Sequence, residues 1–280
     1  MAKTTIHTLR GKKAKGEPMT FLTAYDLPFA ILEQKAEIDV ILVGDSVGMV
    51  VYGYDSTLPV TMDLMIPHVR AVRKGAPDVY LVGDMPYMSY QPSVADAIRN
   101  GGRFMAEGCD CVKLEGGREM AQTIRAMVDA TIPVMGHMGL TPQAAAQLGG
   151  YKAQGRDIAT AKKLVEDATI LEDAGICSLL LEAVPAEVSE VIRKRLSVPI
   201  FGIGAGPHCD GQVLVIHDMI GMFDRKPAKF VKKFREAGAL ILEALNEFKA
   251  EVHNGTFPAP EHCYPMPPDV AAELKKLYGA

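Results

Sequence analysis

The sequence predicts an α/β protein whose single domain, residues 1–280, is a closed (β/α)8 TIM barrel. Eight short apolar segments rich in β-branched residues recur at intervals that suit β–α units. Segments with helical periodicity lie between them, and no break in composition divides the chain. Strands that are apolar on both faces are typical of a parallel sheet covered by helices, and eight such units favour a closed barrel.

The predicted strands include an internal repetition. Val40-Ile-Leu-Val-Gly-Asp45 is matched by Val79-Tyr-Leu-Val-Gly-Asp84, and both apolar runs end in Gly-Asp. This pattern indicates two buried strands, each of which carries a carboxylate at its end. In chain order the eight predicted strands cover residues 21–25, 40–45, 79–84, 111–114, 133–138, 178–182, 199–203 and 212–216.

The helices between the strands are predicted from apolar residues three or four positions apart. Ser93 precedes one such stripe and has the form of an N-cap, with Asp96 three residues later. Two helices should end at Glu107-Gly108 and Ala174-Gly175, because glycine readily adopts the left-handed conformation that ends a helix. Clear apolar stripes cover residues 120–128, 188–196 and, in the longest predicted helix, 230–252.

An open doubly wound sheet is the alternative fold. A GxGxxG sequence directly after an early strand would favour it, but Gly202-Ile-Gly-Ala-Gly206 has a different spacing and lies late in the chain. The tail from about residue 255 is rich in proline. We expect this tail to wrap the barrel surface or to reach a neighbouring subunit, and not to form a second domain.

The composition favours a cytoplasmic enzyme that acts on small molecules. A net charge of −4 without a basic stripe argues against a nucleic-acid partner. No apolar run reaches the roughly 18 to 20 residues of a membrane span, and the polar N-terminus does not resemble a secretory signal. The five cysteines include no CxxC pair, so we expect free thiols in a reducing compartment.

Polar side chains stand at the end of nearly every predicted strand. In a barrel these ends form one rim, where functional groups gather. A purely structural barrel has no reason to direct so many charges toward one another. The strand-end residues are Tyr25, Asp26, Asp45, Ser46, Asp84, Lys113, Glu115, His137, Glu182, His217 and Asp218.

Three of these residues, Asp45, Asp84 and Glu115, are candidate metal ligands. They come from successive strands and supply hard oxygen atoms without a thiol or a nearby histidine pair, which favours Mg²⁺ over Zn²⁺. Helix N-capping by an individual strand-end Asp is the simpler explanation. Two identical Val-Gly-Asp endings followed by Lys-Leu-Glu make that explanation less attractive for the set as a whole.

Lys113 and Glu115 alternate around Leu114, so both should point into the barrel mouth. Lys113 could bind a substrate carboxylate, form a Schiff base, or pair with a glutamate. Surrounding carboxylates should keep it protonated, so we favour a charged anchor.

Glu182 ends an apolar strand and is the candidate general base, with an ion pair to Lys113 as the alternative. His137 could donate a hydrogen bond to substrate or be a structural histidine. The Gly202–Gly206 loop could bind an anion or simply pack closely, and we assign it no role.

The chain resembles the ketopantoate hydroxymethyltransferase (3-methyl-2-oxobutanoate hydroxymethyltransferase) family over about residues 4–265. The resemblance rests on an ordered series of motifs that includes the strand ends above. These motifs are Thr23-Ala-Tyr-Asp26, Val43-Gly-Asp-Ser-Val-Gly48, Gly83-Asp-Met-Pro86, Val112-Lys-Leu-Glu-Gly116, Gly136-His-Met-Gly-Leu-Thr-Pro142, Leu181-Glu182, Gly202-Ile-Gly-Ala-Gly-Pro207 and Cys209-Asp-Gly-Gln-Val-Leu-Val215.

The resemblance implies a barrel of the phosphoenolpyruvate/pyruvate-domain type, assembled as a homo-oligomer, typically a decamer. It implies one Mg²⁺ per subunit and hydroxymethyl transfer from 5,10-methylenetetrahydrofolate to 3-methyl-2-oxobutanoate through a Mg-stabilised enolate. The product, ketopantoate, would serve pantothenate and coenzyme A biosynthesis.

The resemblance also implies roles for individual residues. Metal ligation falls to Asp45, Asp84 and Glu115, and catalysis as the base falls to Glu182. With the candidates above, the expected substrate-binding residues are Asp45, Ser46, Asp84, Lys113 and His137.

Two other functions stay open from the sequence. One is a metal-dependent carbon–carbon lyase acting on another small 2-oxo acid. Such lyases commonly carry a catalytic cysteine in a mobile loop, whereas the cysteines here lie at strands, in the Gly loop and in the tail. The other is a binding barrel that has lost catalysis, although none of the expected ligands or the base is substituted.

Overall fold

The computed structural model describes residues 3–224 and 226–279 and contains a closed parallel barrel. Each strand pairs with its neighbours in chain order, and β8 closes the sheet on β1. The predicted (β/α)8 fold is therefore confirmed, and the open doubly wound alternative is wrong. The strands are β1 Met19–Thr23, β2 Val40–Val43, β3 Tyr80–Asp84, β4 Cys111–Glu115, β5 Val134–Gly139, β6 Ser178–Glu182, β7 Ile200–Ile203 and β8 Gly211–Leu214.

Helices follow the strands as outer elements, with one more helix before β1 and a further pair after the barrel. Short 3₁₀ turns cover Arg118–Met120, Pro142–Ala144 and Pro260–His262. The α-helices are α1 Ile6–Lys15, α2 Leu27–Lys35, α3 Val47–Val50, α4 Met62–Gly75, α5 Val94–Ala106, α6 Ala121–Asp129, α7 Ile158–Ala174, α8 Ala186–Arg195, α9 Ile216–Met219, α10 Ala237–Asn254 and α11 Pro268–Tyr278.

Local signals in the sequence set several of these boundaries. The Ser93 hydroxyl accepts the backbone N–H of Asp96 at the start of α5, as predicted, a contact worth about 1 kcal/mol. Helix α7 ends at Ala174, and Gly175 follows with φ 101°, in the left-handed region. Strand β1 ends at Thr23, two residues before the predicted end, because Asp26 already caps α2 by accepting the N–H of Phe29.

Alternation along the strands divides the inward-facing residues into two levels. At the amino-terminal level they are apolar, as with Phe21, Leu42 and Val82. Leu9 of α1 packs beneath this layer and is completely buried. The same inward-facing rows become polar toward the carboxyl ends of the strands. The lower half of the barrel is therefore filled, and the upper half can hold a ligand.

The segment after β8 differs from the prediction. Its helix, α10, begins at Ala237, so Phe230 and Phe234 lie before it in an irregular segment. Although α10 is 18 residues long, none of its residues is buried. Its apolar residues are exposed instead, among them Leu240, Leu242, Leu245 and Phe248. The helix predicted for the outer layer therefore leaves an apolar surface open.

No helix in the described parts of the chain combines the length and the apolar character required to cross a lipid bilayer.

Candidate active site

A cavity of about 180 Å³ opens at the carboxyl ends of the strands. Every residue that the sequence suggested for metal binding, substrate binding or catalysis lines it. Thr23, Thr57 and Tyr151 add polar groups, while Phe230 and Val231 come from the segment before α10. The predicted residues that meet here are Asp45, Ser46, Asp84, Lys113, Glu115, His137 and Glu182.

Lys113 lies among the carboxylates of the predicted metal site. Its Nζ atom is 2.7 Å from Oδ1 of Asp84 and 3.9 Å from Oε1 of Glu115, and all three side chains are buried. Burial alone would lower the pKa of Lys113, but Asp84, Glu115 and Asp45 together raise it above its usual value. Lys113 is therefore a buried ammonium ion, which favours the charged anchor over a Schiff-base amine.

The same burial acts on the carboxyl groups in the opposite sense. Desolvation and the negative charge of Asp45 together raise the pKa of Asp84 to about 7, and Lys113 opposes both. The pKa of Asp45 is also raised, chiefly by burial, with Lys113 again opposing. The buried acidic groups outnumber the single lysine beside them, so the site favours the uptake of a cation.

The three carboxylates share a further property that suits a metal ion. Each directs one oxygen to the protein: Oδ2 of Asp84 accepts the N–H of Asp45, and Oε2 of Glu115 accepts the N–H of Gln143. Oδ2 of Asp45 accepts the Gln143 amide. The opposite oxygens of Asp84 and Glu115 are buried without an aligned hydrogen-bond donor. Hard oxygens in this condition fit Mg²⁺.

Within the described residues, no three acidic, histidine or cysteine side chains already stand at the spacing of a metal shell. Asp84 and Glu115 approach the Lys113 ammonium instead of a shared central point. The donor chemistry therefore fits Mg²⁺, and ligation requires the side chains to rearrange.

His137 lies between two glutamates on neighbouring strands. Its Nδ1 atom is 3.4 Å from Oε1 of Glu115, and its Nε2 atom is 3.2 Å from Oε2 of Glu182, though not aligned as a hydrogen bond. Burial and Lys113 act to lower the pKa of His137, but the two glutamates raise it to about 9. The two glutamates therefore favour the protonated ring, while the Lys113 Nζ atom, 3.3 Å from Nδ1, opposes it. His137 links the candidate base to the carboxylate cluster.

Glu182 reaches the cavity from β6, which lies opposite β2 in the strand order. Its carboxylate lies beside His137, not paired with Lys113 as the ion-pair alternative required. The residue after it, Ala183, has φ 48°, a left-handed conformation that side chains rarely adopt. Such local strain is common at functional sites, because the surrounding fold must hold the residue in place.

Ser46 follows Asp45 at the cavity wall. Its hydroxyl is 2.8 Å from the Tyr25 hydroxyl, and Tyr25 is itself buried. Burial raises the pKa of Tyr25 well above its usual value, so this phenol stays neutral and can donate to Ser46 or accept from it. The pair places a hydroxyl of fixed position beside the carboxylates.

The Gly202–Gly206 loop is closely packed, which agrees with the second of its two interpretations. A Cβ atom on Gly206, whose φ is 78°, would lie 2.4 Å from the Cβ of Ala186. One on Gly202 would lie 2.7 Å from Sγ of Cys209. Side chains larger than hydrogen would force this loop away from α8.

Two residues at the site, Gln143 and Tyr90, were not predicted from the sequence. Gln143 directly follows the Gly136–Pro142 motif and contacts two of the three candidate metal ligands. Tyr90 lies after β3 and holds Gln143. The only available signal was an amide side chain in a loop that follows a barrel strand, which is too common to single out.

Comparisons with known proteins add independent information. Residues 3–260 match the sequence model of the family described as ketopantoate hydroxymethyltransferase. A 3-methyl-2-oxobutanoate hydroxymethyltransferase from Syntrophomonas wolfei is 53% identical over 279 residues, with 99% of this chain and 100% of the relative covered. One from Heliobacterium modesticaldum is 52% identical over 277 residues, with 99% of each chain covered.

Solved structures with the same fold are much more distant in sequence. Phosphonopyruvate hydrolase in complex with oxalate and Mg²⁺ has a TM-score of 0.62 at 15% identity, covering 100% of this chain and 95% of that one. 2,3-Dimethylmalate lyase, described as a PEP mutase/isocitrate lyase superfamily member, has a TM-score of 0.60 at 16% identity, covering 100% and 96%. These likenesses establish the barrel architecture.

Proposed function

The chain belongs to the ketopantoate hydroxymethyltransferase family of enzymes, and we propose that it transfers a hydroxymethyl group from 5,10-methylenetetrahydrofolate to 3-methyl-2-oxobutanoate. The products are ketopantoate and tetrahydrofolate, with water supplying the hydroxyl oxygen, and the reaction serves pantothenate biosynthesis. The observation that carries the proposal is the meeting of Lys113, three carboxylates and Glu182 in one cavity of about 180 Å³. That volume lies below the roughly 300 to 1,000 Å³ of drug-sized pockets and suits a small oxo acid.

The oxo acid is anchored by its negative carboxylate. Lys113 supplies a buried positive charge, and Ser46 supplies a hydroxyl held by Tyr25. Asp45, Asp84 and His137 complete the polar wall around it. With the carboxylate of the substrate anchored at Lys113, its C3 atom is directed toward Glu182, which reaches the same cavity from β6.

Asp45, Asp84 and Glu115 would hold one Mg²⁺ per subunit, because they combine hard oxygens with excess negative charge. When bound, the ion would supply Lewis-acid stabilisation of the negative charge that develops on the keto oxygen. Lys113 then serves a second purpose, since its ammonium balances part of the carboxylate charge when the ion is absent.

Glu182 acts as the general base. Its carboxylate takes the proton from C3 of the oxo acid, and the electron pair of the broken C–H bond forms the new C–C bond to the folate-borne methylene carbon. One C–N bond of that carbon breaks as the C–C bond forms, and water replaces the second nitrogen to give the hydroxymethyl group. The proton from C3 and one proton from water end on the two nitrogens of tetrahydrofolate. His137, whose protonated ring the two glutamates favour, lies 3.2 Å from Oε2, attracts Glu182 and fixes its position at the cavity wall. The strained backbone at Ala183 supports the same placement.

Exchange of the C3 proton into D₂O, followed by NMR without folate, tests this function. We expect exchange that requires Mg²⁺, and net conversion of 3-methyl-2-oxobutanoate only when the folate is added. Absence of exchange from the intact protein would instead favour a binding barrel. Cleavage of a larger 2-oxo acid without folate would favour the lyase alternative. The structure offers that alternative no catalytic cysteine, because none of the five cysteines lines the cavity.

We further propose that the chain assembles as a homo-oligomer, as large as a decamer, in the cytoplasm. The apolar surface of α10 supports assembly, because an 18-residue helix without a buried residue needs a partner to cover it. Five free cysteines, of which Cys111 and Cys177 have sulfur atoms only 3.3 Å apart, are in keeping with a reducing compartment.

A further inference from the structure

We propose that Gln143 is a positioning residue that fixes the metal-binding carboxylates of Asp45 and Glu115, and that Tyr90 holds Gln143 in the required orientation. This inference rests on the proposed metal site. The loop after β5 would then do more than line the cavity. Through Gln143 it connects two candidate metal ligands, Asp45 after β2 and Glu115 in β4.

The side-chain amide of Gln143 contacts the first of these ligands. Its Nε2 atom donates to Oδ2 of Asp45 at 2.9 Å and to the backbone carbonyl of Met85 at 3.0 Å. Met85 follows Asp84 directly, so one amide group connects the chain after β2 with the chain after β3. Gln143 is only 7% exposed, and the surrounding protein limits its movement.

The backbone of Gln143 contacts the second ligand. Its N–H donates to Oε2 of Glu115 at 3.0 Å. Because the backbone and side chain of one residue bind the two carboxylates, the conformation of Gln143 contributes directly to the orientation of both. Hydrogen bonds of this kind, directed at the non-ligating oxygen of a carboxylate, commonly tune metal affinity.

Tyr90 selects one orientation of the amide. Its hydroxyl donates to Oε1 of Gln143 at 2.8 Å and accepts the backbone N–H of Glu115 at 3.1 Å. Gln91 donates to the same Oε1 at 3.1 Å. A rotated amide would direct its oxygen at the Asp45 carboxylate and the Met85 carbonyl, both acceptors, so this orientation is strongly favoured.

The arrangement has a direct consequence for the cavity. With Oδ2 of Asp45 and Oε2 of Glu115 engaged by Gln143, the opposite oxygens are the ones that remain for a ligand. Oε1 of Glu115 is buried without an aligned hydrogen-bond donor, with His137 Nδ1 at 3.4 Å and Lys113 Nζ at 3.9 Å, so this oxygen is the one open to a bound cation. Gln143 therefore determines which oxygen each carboxylate presents.

The test is titration of the folded enzyme with Mg²⁺ alone, by calorimetry, for the wild type and three variants. Gln143→Leu removes both amide donors at similar volume. Tyr90→Phe removes only the hydroxyl and is the milder change. Gln147→Leu is the matched control, because it makes the same substitution at an exposed position four residues further along.

We expect Gln143→Leu to raise the Mg²⁺ dissociation constant about 10- to 100-fold, and Tyr90→Phe to raise it less. Gln147→Leu should match the wild type. The C3 proton exchange rate should recover toward the wild-type value at saturating Mg²⁺, while the half-saturating Mg²⁺ concentration stays high. If Gln143 had only a structural role, its substitution would instead lower the maximal rate and the thermal midpoint, and saturating Mg²⁺ would not restore the rate.

An unchanged Mg²⁺ dissociation constant in both Gln143→Leu and Tyr90→Phe would overturn the proposal. If Gln143→Leu does not fold, an unchanged constant in Tyr90→Phe alone would do so. A different result would contradict the proposed reaction without contradicting the role of Gln143: the wild type binds Mg²⁺ but does not exchange the C3 proton of 3-methyl-2-oxobutanoate. In that case a weakened Mg²⁺ affinity in the variants would still support the positioning role.

Discussion

The backbone N–H of Asp45 donates a 3.0 Å hydrogen bond to Oδ2 of Asp84. This bond joins the ends of β2 and β3, so the two Gly-Asp endings that repeat in the sequence lie side by side. It also turns the other oxygen of Asp84 toward Lys113, at 2.7 Å. The repeated motif thus produces a pair of acidic groups whose spacing is set by the backbone.

Asp84→Ala should abolish Mg²⁺-dependent activity, because it removes one proposed ligand oxygen and the acceptor that holds the Asp45 backbone. The measurement is turnover of 3-methyl-2-oxobutanoate against Mg²⁺ concentration. Asp55→Ala, in an exposed loop, is the control and should behave like the wild type. Full activity of the wild type in excess chelator would show that these carboxylates serve another purpose.

Glu182→Gln should keep Mg²⁺ and oxo-acid binding but lower C3 proton exchange by about 10²- to 10⁴-fold, the usual contribution of a general base. Binding is measured by calorimetry and exchange by NMR in D₂O. Glu187→Gln, on α8 outside the residues that line the cavity, makes the same change and should leave exchange intact. An unaltered exchange rate in Glu182→Gln would remove Glu182 from the role of base.

Lys113→Met should destabilise the metal-free protein by about 3 to 5 kcal/mol, because it leaves buried carboxylates without their positive partner. Urea unfolding measures this loss, and added Mg²⁺ should restore part of it. Lys194→Met breaks an exposed ion pair with Glu190 and should cost no more than about 1 kcal/mol. Equal losses in the two variants would contradict a special role for Lys113.

Glu33 provides a test of buried charge away from the active site. Both of its carboxyl oxygens are buried without a hydrogen-bond partner among the described residues. Burial, with a smaller contribution from Asp26, raises its pKa from 4.5 to about 8. In the folded protein this carboxyl therefore keeps its proton at pH values where the unfolded chain has lost it.

Glu33 should consequently contribute a fall in the free energy of unfolding as pH rises from about 4.5 to 8, by about 1.4 kcal/mol for each pKa unit of difference. Glu33→Gln should remove this contribution, so the stability of the variant relative to the wild type should grow across that range and level off above it. Urea unfolding at several pH values measures the effect. Glu37→Gln, exposed just after the same helix, should show no such trend.

Leu245→Glu should reduce the assembly to smaller species without unfolding the barrel. Leu245 is 60% exposed on α10, so a charge there is harmless to an isolated chain but costly in an apolar contact between copies. Light scattering after size-exclusion chromatography measures the mass, and circular dichroism checks folding. Lys249→Glu on the same helix serves as a charge-reversal control. An undiminished mass in Leu245→Glu would place the subunit contacts elsewhere.

The barrel and most of its site could be predicted because their signals are local. Apolar runs determine the strands, and the residue after each run determines what reaches the mouth, as with Lys113 and Glu182. The start of α10 could not be predicted in this way. The apolar stripe from residue 230 continues the helical pattern, but Phe230 and Val231 turn to the cavity, and a repeating pattern does not reveal which surface an apolar side chain will meet.

Contacts between distant segments were also beyond prediction. Gln143 binds Asp45, 98 positions away in the sequence, only because the closed sheet brings the loops after β2 and β5 to the same rim. The link from Glu115 through His137 to Glu182 likewise depends on strand order and register. The residue type at each strand end can be read from one segment of the sequence, but which strand ends contact each other can be known only from the folded structure.

Leu9 and the apolar layer above it fill the barrel at the amino-terminal ends of the strands, so a ligand can enter the cavity only from the carboxyl ends. Under the proposed reaction, a folate that covered this opening would close the cavity over the smaller oxo acid. The oxo acid would then bind before the folate, and the product would leave after tetrahydrofolate.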